Sequence, residues 1–225
     1  MNYKWWKPED HLIPLTERVP DSELIGEEKV LNSPVVEQAF QKILQEYKPR
    51  NSIAIFSLCT QSRPYIKSLK WKILDECFGD VCDLIVCSNG GIIPSDYWNC
   101  YPYLTYDAPH TPSGKWDDLY CEIFGRRLKQ FLSKHPYDKC IFLFTPDTRN
   151  YKSILKNLES GWKLLPTPEM YRKTIDLEDV FIGIPRKSFG VLGVDCLLEI
   201  EKICGYSPAL HTRIDRYTRT KKRLF

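Results

Sequence analysis

The stretch IAIFSLCTQSRPYIKSLKW, residues 53–71, opens on an unbroken apolar run, Ile53 to Phe56. Such a run without alternation reads as a parallel strand buried on both faces. At Cys59 the pattern breaks into Thr60, Gln61 and Ser62, followed by Arg63-Pro64-Tyr65. Ile66, Leu69, Ile73, Leu74 and Cys77 then recur near helical spacing, which predicts strand, polar loop, helix. In open α/β sheets that junction, at the carboxyl end of a strand, is where ligands bind. The loop gathers a thiol, hydroxyls, an amide, a guanidinium and a phenol, more chemistry than a plain connection needs. The bland alternative is a space-filling Cys59 and an Arg63 that caps a helix or pairs on the surface.

Working outward, the same alternation repeats. Ser33-Pro34 reads as a helix start, with Ser at the cap and Pro at the first helical position. Val36, Phe40, Ile43, Leu44 and Tyr47 line one face of that helix. Asp83 to Ser88 reads as a second strand running into Asn89-Gly90-Gly91, a paired-glycine loop whose backbone N–H groups are free to face an anion or a base edge. Tyr103 to Tyr106 reads as a short strand, with Asp107 directly after it and His110 in a Pro/Gly-rich loop. A carboxylate and an imidazole beyond a strand end suit acid–base work. Asp117 reads as a helix cap, and Leu119, Ile123, Leu128 and Phe131 give the helix after Trp116 its apolar side. Lys139 to Phe144 reads as a further strand, followed by a helix carrying Tyr151, Ile154, Leu155 and Leu158.

This order predicts an α/β fold, a three-layer sandwich with a short parallel sheet between helices. Residues 33–160 form the core domain, 1–32 an irregular arm with Trp5, Trp6 and His11, and 161–225 an extension. In the extension Val180 to Ile184 reads as extended chain, and Cys196 to Cys204 as a last helix ended by Gly205. The tail carries Arg213, Arg216, Arg219, Lys221, Lys222 and Arg223 around Tyr217, against a lone Asp215. It reads either as a phosphate-backbone contact or as a solvated end.

Composition sets bounds. At 225 residues, 43% hydrophobic and 27% charged with a net charge of +3, the chain is ordinary for a soluble globular protein. There are nine cysteines but no CxxC pair, which argues against a zinc ribbon or an iron–sulfur site. Their placement inside apolar runs suggests reduced thiols in a cytoplasmic protein. No signal peptide and no apolar run of membrane-spanning length is present, so no membrane association is expected. No metal or other cofactor is implied.

Three stretches together resemble the archaeosine synthase core domain. Cys59-x-x-x-Arg63-Pro64-Tyr65-x-x-Ser68 resembles its PC-x3-KPY-x2-S-x2-H motif. Ser88-Asn89-Gly90-Gly91-Ile92-Ile93-Pro94 resembles its SSPLG-hydrophobic-VP loop. Tyr101-Pro102 through Tyr106-Asp107 to Gly114-Lys115-Trp116-Asp117 resembles its YP…YD-PVTG-WD segment. The family's Pro, Lys and His are here Leu58, Arg63 and Trp71, and an arginine keeps the charge but cannot act as a neutral amine.

The resemblance implies a uracil-DNA-glycosylase-like fold and archaeal tRNA modification. The implied transferase reaction joins the amine of a free amino acid, lysine, to the nitrile of 7-cyano-7-deazaguanine in tRNA. A radical enzyme or an RNA-binding subunit is then a partner. In that reading Cys59, Asp107 and His110 are the catalytic candidates. Arg63, Tyr65, Ser68, Ser88, Asn89, Gly90, Gly91 and Tyr106 bind substrate, and the tail binds RNA. Cys59 is either a nucleophile toward the nitrile or a shape-filling thiol. Two other readings stand beside it: a non-catalytic nucleic-acid-binding subunit, and a base-excising N-glycosylase using Asp107 with Tyr65 or Tyr106.

Overall fold

The computed structural model describes residues 12–111, 113–156, 159–176 and 191–223, with side chains for all of these except 173–176 and 217–223. Five strands make one sheet: β1 (Ile53–Leu58), β2 (Asp83–Ser88), β3 (Gly91–Pro94), β4 (Lys139–Leu143) and β5 (Trp162–Leu165), in the order β3-β2-β1-β4-β5. β1 runs parallel to β2 on one side and to β4 on the other, and β4 runs parallel to β5. β3 turns back antiparallel on β2. The unbroken apolar runs mark the strands that are buried along most of their length: every residue of β2 is buried, as are Ala54 to Ser57 of β1.

Among the described residues the α-helices are α1 (Glu27–Leu31), α2 (Pro34–Glu46), α3 (Leu69–Phe78), α4 (Asp117–Lys134), α5 (Arg149–Lys156), α6 (Pro168–Asp176), α7 (Val194–Cys204) and α8 (Pro208–Arg223). Right-handed crossovers require that α3, which carries the chain from β1 to β2, and α4, which brings it back to β4, lie on opposite faces. The packing agrees. α3 meets α8, which meets α7, whereas α4 meets α2, α1 and α5. The protein is therefore an α/β structure with a mostly parallel sheet flanked by helices. The chain leaves β1 toward β2 but leaves β4 toward β5, so the switch point lies between β1 and β4.

One hydrophobic core runs from Leu12 to Ile214. Phe56 stacks on Phe142 at 4.9 Å between ring centroids on the α4 side, where it also meets Phe131. Trp71 packs on Trp98 at 4.7 Å. At the amino ends of the strands the buried Asp83 carboxylate accepts from Tyr47 Oη (2.7 Å), Asn51 Nδ2 (2.9 Å), Tyr137 Oη (3.0 Å) and the Arg50 N–H (3.0 Å). A buried carboxylate satisfied four times over pins the α2–β1 connection to the sheet.

Several expectations need correction. Tyr103 to Tyr106 is not a strand but a run of turns, with the Tyr103 N–H on the Cys100 carbonyl and the Tyr106 N–H on the Pro102 carbonyl. Only Asp107 pairs there, in an isolated bridge to Ile25. The paired glycines are not an open loop but the turn and first residue of a hairpin, with Gly91 opposite Ser88 at φ 130°. The sheet does not end at residue 160, because β5 joins it. From Leu12 onward the arm packs into the core through aliphatic side chains: Ile13, Leu24 and Val30 are fully buried. The tail is helical, and Leu210 and Ile214 are each 1% exposed. The run Val180 to Ile184, His11, Trp5, Trp6 and Leu158 lie outside the described residues.

Candidate functional site

The site is built at the carboxyl ends of β1, β2 and β4. The parallel ladder continues one step past β1, because the Cys59 N–H donates to the Cys87 carbonyl at 3.0 Å. That step places Cys59, a half-buried residue, just past the carboxyl end of β1. Burial pushes this thiol up; the charges of Arg63, Lys70 and Arg149 pull the other way without cancelling the effect.

Arg63 folds back over the loop that carries it. Its guanidinium lies 4.5 Å from the centre of the Tyr65 ring and 4.7 Å from that of Tyr106, and Nη1 donates to the Thr60 carbonyl. Stacking on two phenol rings orients the planar fork without spending all of its donors. Its Nε is buried without a partner, and so is Thr60 Oγ1. Burial works against the charge, but the two phenols, the Cys59 thiol and the Asp107 carboxylate outweigh it. Asp107 itself is exposed, and its backbone is fixed from both sides by the Leu24 carbonyl (2.9 Å) and the Gly26 N–H (2.7 Å).

Behind Arg63 the phenols form a chain. Tyr106 Oη donates to Ser88 Oγ at 2.7 Å and accepts from Tyr65 Oη. The Gly90 N–H also donates to Ser88 Oγ, at 3.0 Å, so it is not free for an anion, contrary to the expectation from sequence. A Cβ at Gly90 would sit 3.0 Å from the Tyr106 ring, which explains the glycine by close approach. Burial raises both phenols, Tyr106 to about 12, so both remain neutral donors at neutral pH.

Asn89 is an organiser rather than a free contact. Its Nδ2 donates to the Ala108 carbonyl at 2.6 Å and its Oδ1 accepts from Arg149 Nη2 at 2.8 Å. Ser68 Oγ accepts from the Trp71 N–H at 3.3 Å and so caps α3. His110 is exposed and pairs with Asp117 at 2.9 Å, and Asp117 in turn pairs with Arg149.

Sequence reasoning missed four charged groups here. Arg149, on the first residue of α5, is the hub of the rim: it pairs with Glu27 at 2.5 Å and Asp117 at 2.7 Å, with its guanidinium 3.5 Å from the centre of the Tyr120 ring. Glu27, 4% exposed, also accepts from the Thr111 N–H at 2.7 Å. Burial alone would raise the Glu27 carboxyl; Thr111 and Arg149 outweigh it and hold it below its ordinary value. Arg127 is buried, donates twice to Glu37 and braces the Asn89 carbonyl. Lys70, in the first turn of α3, donates to Ser57 Oγ at 3.2 Å and to the Leu58 carbonyl. Burial lowers its ammonium to about 8. Position after a strand was the signal for Arg149; nothing in the sequence marked Lys70 or Glu27.

Among the described residues no group of three or more His, Cys, Asp or Glu side chains is placed to hold a metal ion, and no helix is long and apolar enough to cross a membrane.

A family model described as a domain of unknown function, DUF5591, matches residues 36–170. The chain belongs to this family. The family segment spans all five strands and every site residue named above except Glu27. A solved structure titled "Crystal structure of AF0587, a protein of unknown function" is similar over 78% of this chain and 53% of that one, at 15% identity and a TM-score of 0.49. The chain thus spans about half the length of that protein. No curated protein matches.

Proposed function

We propose that this protein is a tRNA-modifying transferase of the archaeosine-synthase type, joining an amino-acid amine to the nitrile of 7-cyano-7-deazaguanine in tRNA. The observation that carries the reading is Arg63, in the loop after Cys59, within electrostatic reach of the opposite charge of Asp107, with two polar groups of that loop left unsatisfied. A zwitterionic amino acid needs one charge for each end. Arg63 Nε and Thr60 Oγ1 are donors for its carboxylate, and the exposed Asp107 carboxylate is a seat for its ammonium. The attacking amine must be neutral, and charge that develops on the nitrile nitrogen needs a donor. Lys70, its ammonium lowered to about 8, supplies a group of that kind. On this reading the fold is of the uracil-DNA-glycosylase type and the protein works in the archaeal cytoplasm. A radical enzyme or an RNA-binding subunit is then its partner.

The glycosylase alternative needs an open aromatic face for a flipped base. Tyr65 and Tyr106, buried beneath Arg63, do not offer one. The test is calorimetric titration of lysine and other amino acids into the protein with 7-cyano-7-deazaguanine tRNA present. Wild type binds one amino acid. Arg63→Lys, which loses the fork, weakens that binding about tenfold to a hundredfold. Asp107→Asn impairs transfer more than it impairs tRNA binding. No amino-acid binding to wild type ends the transferase reading.

A further inference from the structure

Lys70 is the only buried lysine among the described residues, and no carboxylate meets it there. Its Nζ hydrogen-bonds Ser57 Oγ and the Leu58 carbonyl, the two residues before Cys59. Ser57 Oγ spends its own proton on the Leu143 carbonyl of β4, at 2.9 Å, so the amine sits where β1 and β4 diverge. A buried ammonium with only neutral acceptors is costly. Its place in the first turn of a helix, where backbone N–H groups carry partial positive charge, adds to the cost. The titratable groups that face the amine are the Cys59 and Cys87 thiols. Cys87 is fully buried, whereas Cys59 is half-buried at the strand end.

We infer that Lys70 and Cys59 form a base–nucleophile couple that makes a covalent adduct with the nitrile carbon of the substrate. This rests on the transferase reading and specifies its route. The neutral Lys70 amine takes the Cys59 proton as Sγ bonds to the carbon of the C≡N group. One π pair moves to the nitrile nitrogen, and the Lys70 ammonium returns the proton there, leaving a neutral thioimidate. The amino-acid amine then adds to the same carbon. Sγ leaves with the bonding pair and recovers one of the amine's protons through Lys70, leaving an amidine. Each step is addition or elimination, and nothing is oxidised or reduced.

Charged groups other than Lys70 also face the thiol: Arg63 from its own loop and Arg149 from α5. The phenols of Tyr65, Tyr106 and Tyr120 surround it as well. The pH profile of the thiol therefore has to be read in variants that change Lys70 alone. The probe is 2-cyanopyridine, an activated nitrile. Adducts on the full-length protein are followed by intact mass at neutral pH, and Cys59 alkylation by iodoacetamide is mapped against pH.

Wild type forms one nitrile adduct, and Cys59→Ser forms none. Lys70→Met slows the adduct at least tenfold and moves the Cys59 alkylation inflection to higher pH. Lys70→Arg holds a fixed positive charge, so the alkylation inflection does not rise, but it loses the nitrile adduct, since it cannot relay a proton. It also carries the test if Lys70→Met does not fold. A wild-type adduct rate in Lys70→Arg, or an adduct that survives in Cys59→Ser, overturns the inference. Amino-acid titration into Cys59→Ser separates the two levels. Binding retained with no wild-type nitrile adduct sinks the couple and leaves the transferase; binding absent from wild type sinks both.

Discussion

At the scale of the residue, the rim of the site depends on Arg149. It joins Glu27 of α1, Asp117 of α4 and Asn89 of the β2–β3 turn, and it lies against Tyr120. Arg149→Met leaves the Glu27 carboxylate buried with no cation, and breaking a buried pair costs about 3–5 kcal/mol. The sign of the pH effect follows from the direction of the shift. Glu27 titrates below its ordinary value, so its contribution is complete above that value, near 4.5, and is lost as pH falls through the lower native one. In Arg149→Met the Thr111 hydrogen bonds remain but the cation is gone, so Glu27 takes up its proton at higher pH than in wild type. Urea unfolding across pH 3 to 7 then shows the acid limb beginning earlier than in wild type; an unshifted limb refutes the role given to the pair. These partners show why the site was only half legible in the sequence. Cys59, Ser88 and Asn89 stand where the apolar runs of β1 and β2 end, a position readable from the sequence, whereas Asp107 was singled out by a strand that does not form. Glu27 and Lys70 sit in helical first turns with no pattern around them, and they acquire meaning only from neighbours distant in the chain.

At the scale of the element, α3 shows how a motif position can be structural. By its place in the motif Ser68 is a substrate contact, yet its hydroxyl caps the helix that carries Lys70. Ser68→Ala removes one capped N–H and costs about 1 kcal/mol, seen as a lower unfolding midpoint. Amino-acid affinity stays within about twofold; a larger loss would restore the contact role. The missed strands have physical causes too. β3 and β5 are each 4 residues long, too short for a run or an alternation to register, and β3 begins at a turn glycine. The opposite error arose at Tyr103 to Tyr106, where aromatic β-propensity suggests a strand. There the rings are buried for their own packing while the backbone turns, Tyr103 against Tyr106 and Tyr106 onto Ser88.

At the scale of the whole molecule, the segments on either side of the sheet's central strands are parts of one core rather than appendages. This changes how the basic tail can be tested. Leu210 and Ile214 bury α8 against the rest of the protein, α8 packs on α3, and Arg213 Nη1 pairs with Asp80 at 3.0 Å. Deleting residues 208–225 therefore removes buried apolar side chains, each worth about 2–5 kcal/mol. Any fall in RNA binding would then report unfolding as much as missing charge. Arg213 is also engaged with the protein, so it is a poor probe of phosphate binding. Lys221, Lys222 and Arg223 lie beyond Ile214, the last residue of α8 described as buried. Replacing those three with serine leaves the anchored turns of α8 in place, and the unfolding midpoint should stay within about a degree of wild type. If these residues meet the tRNA backbone, affinity falls and the salt dependence flattens by about 0.7–0.9 in log–log slope for each phosphate no longer neutralised. Filter binding of tRNA from low to moderate salt measures both. An unchanged slope with unchanged stability would show that α8 serves the fold alone and would move the RNA interface elsewhere on the molecule.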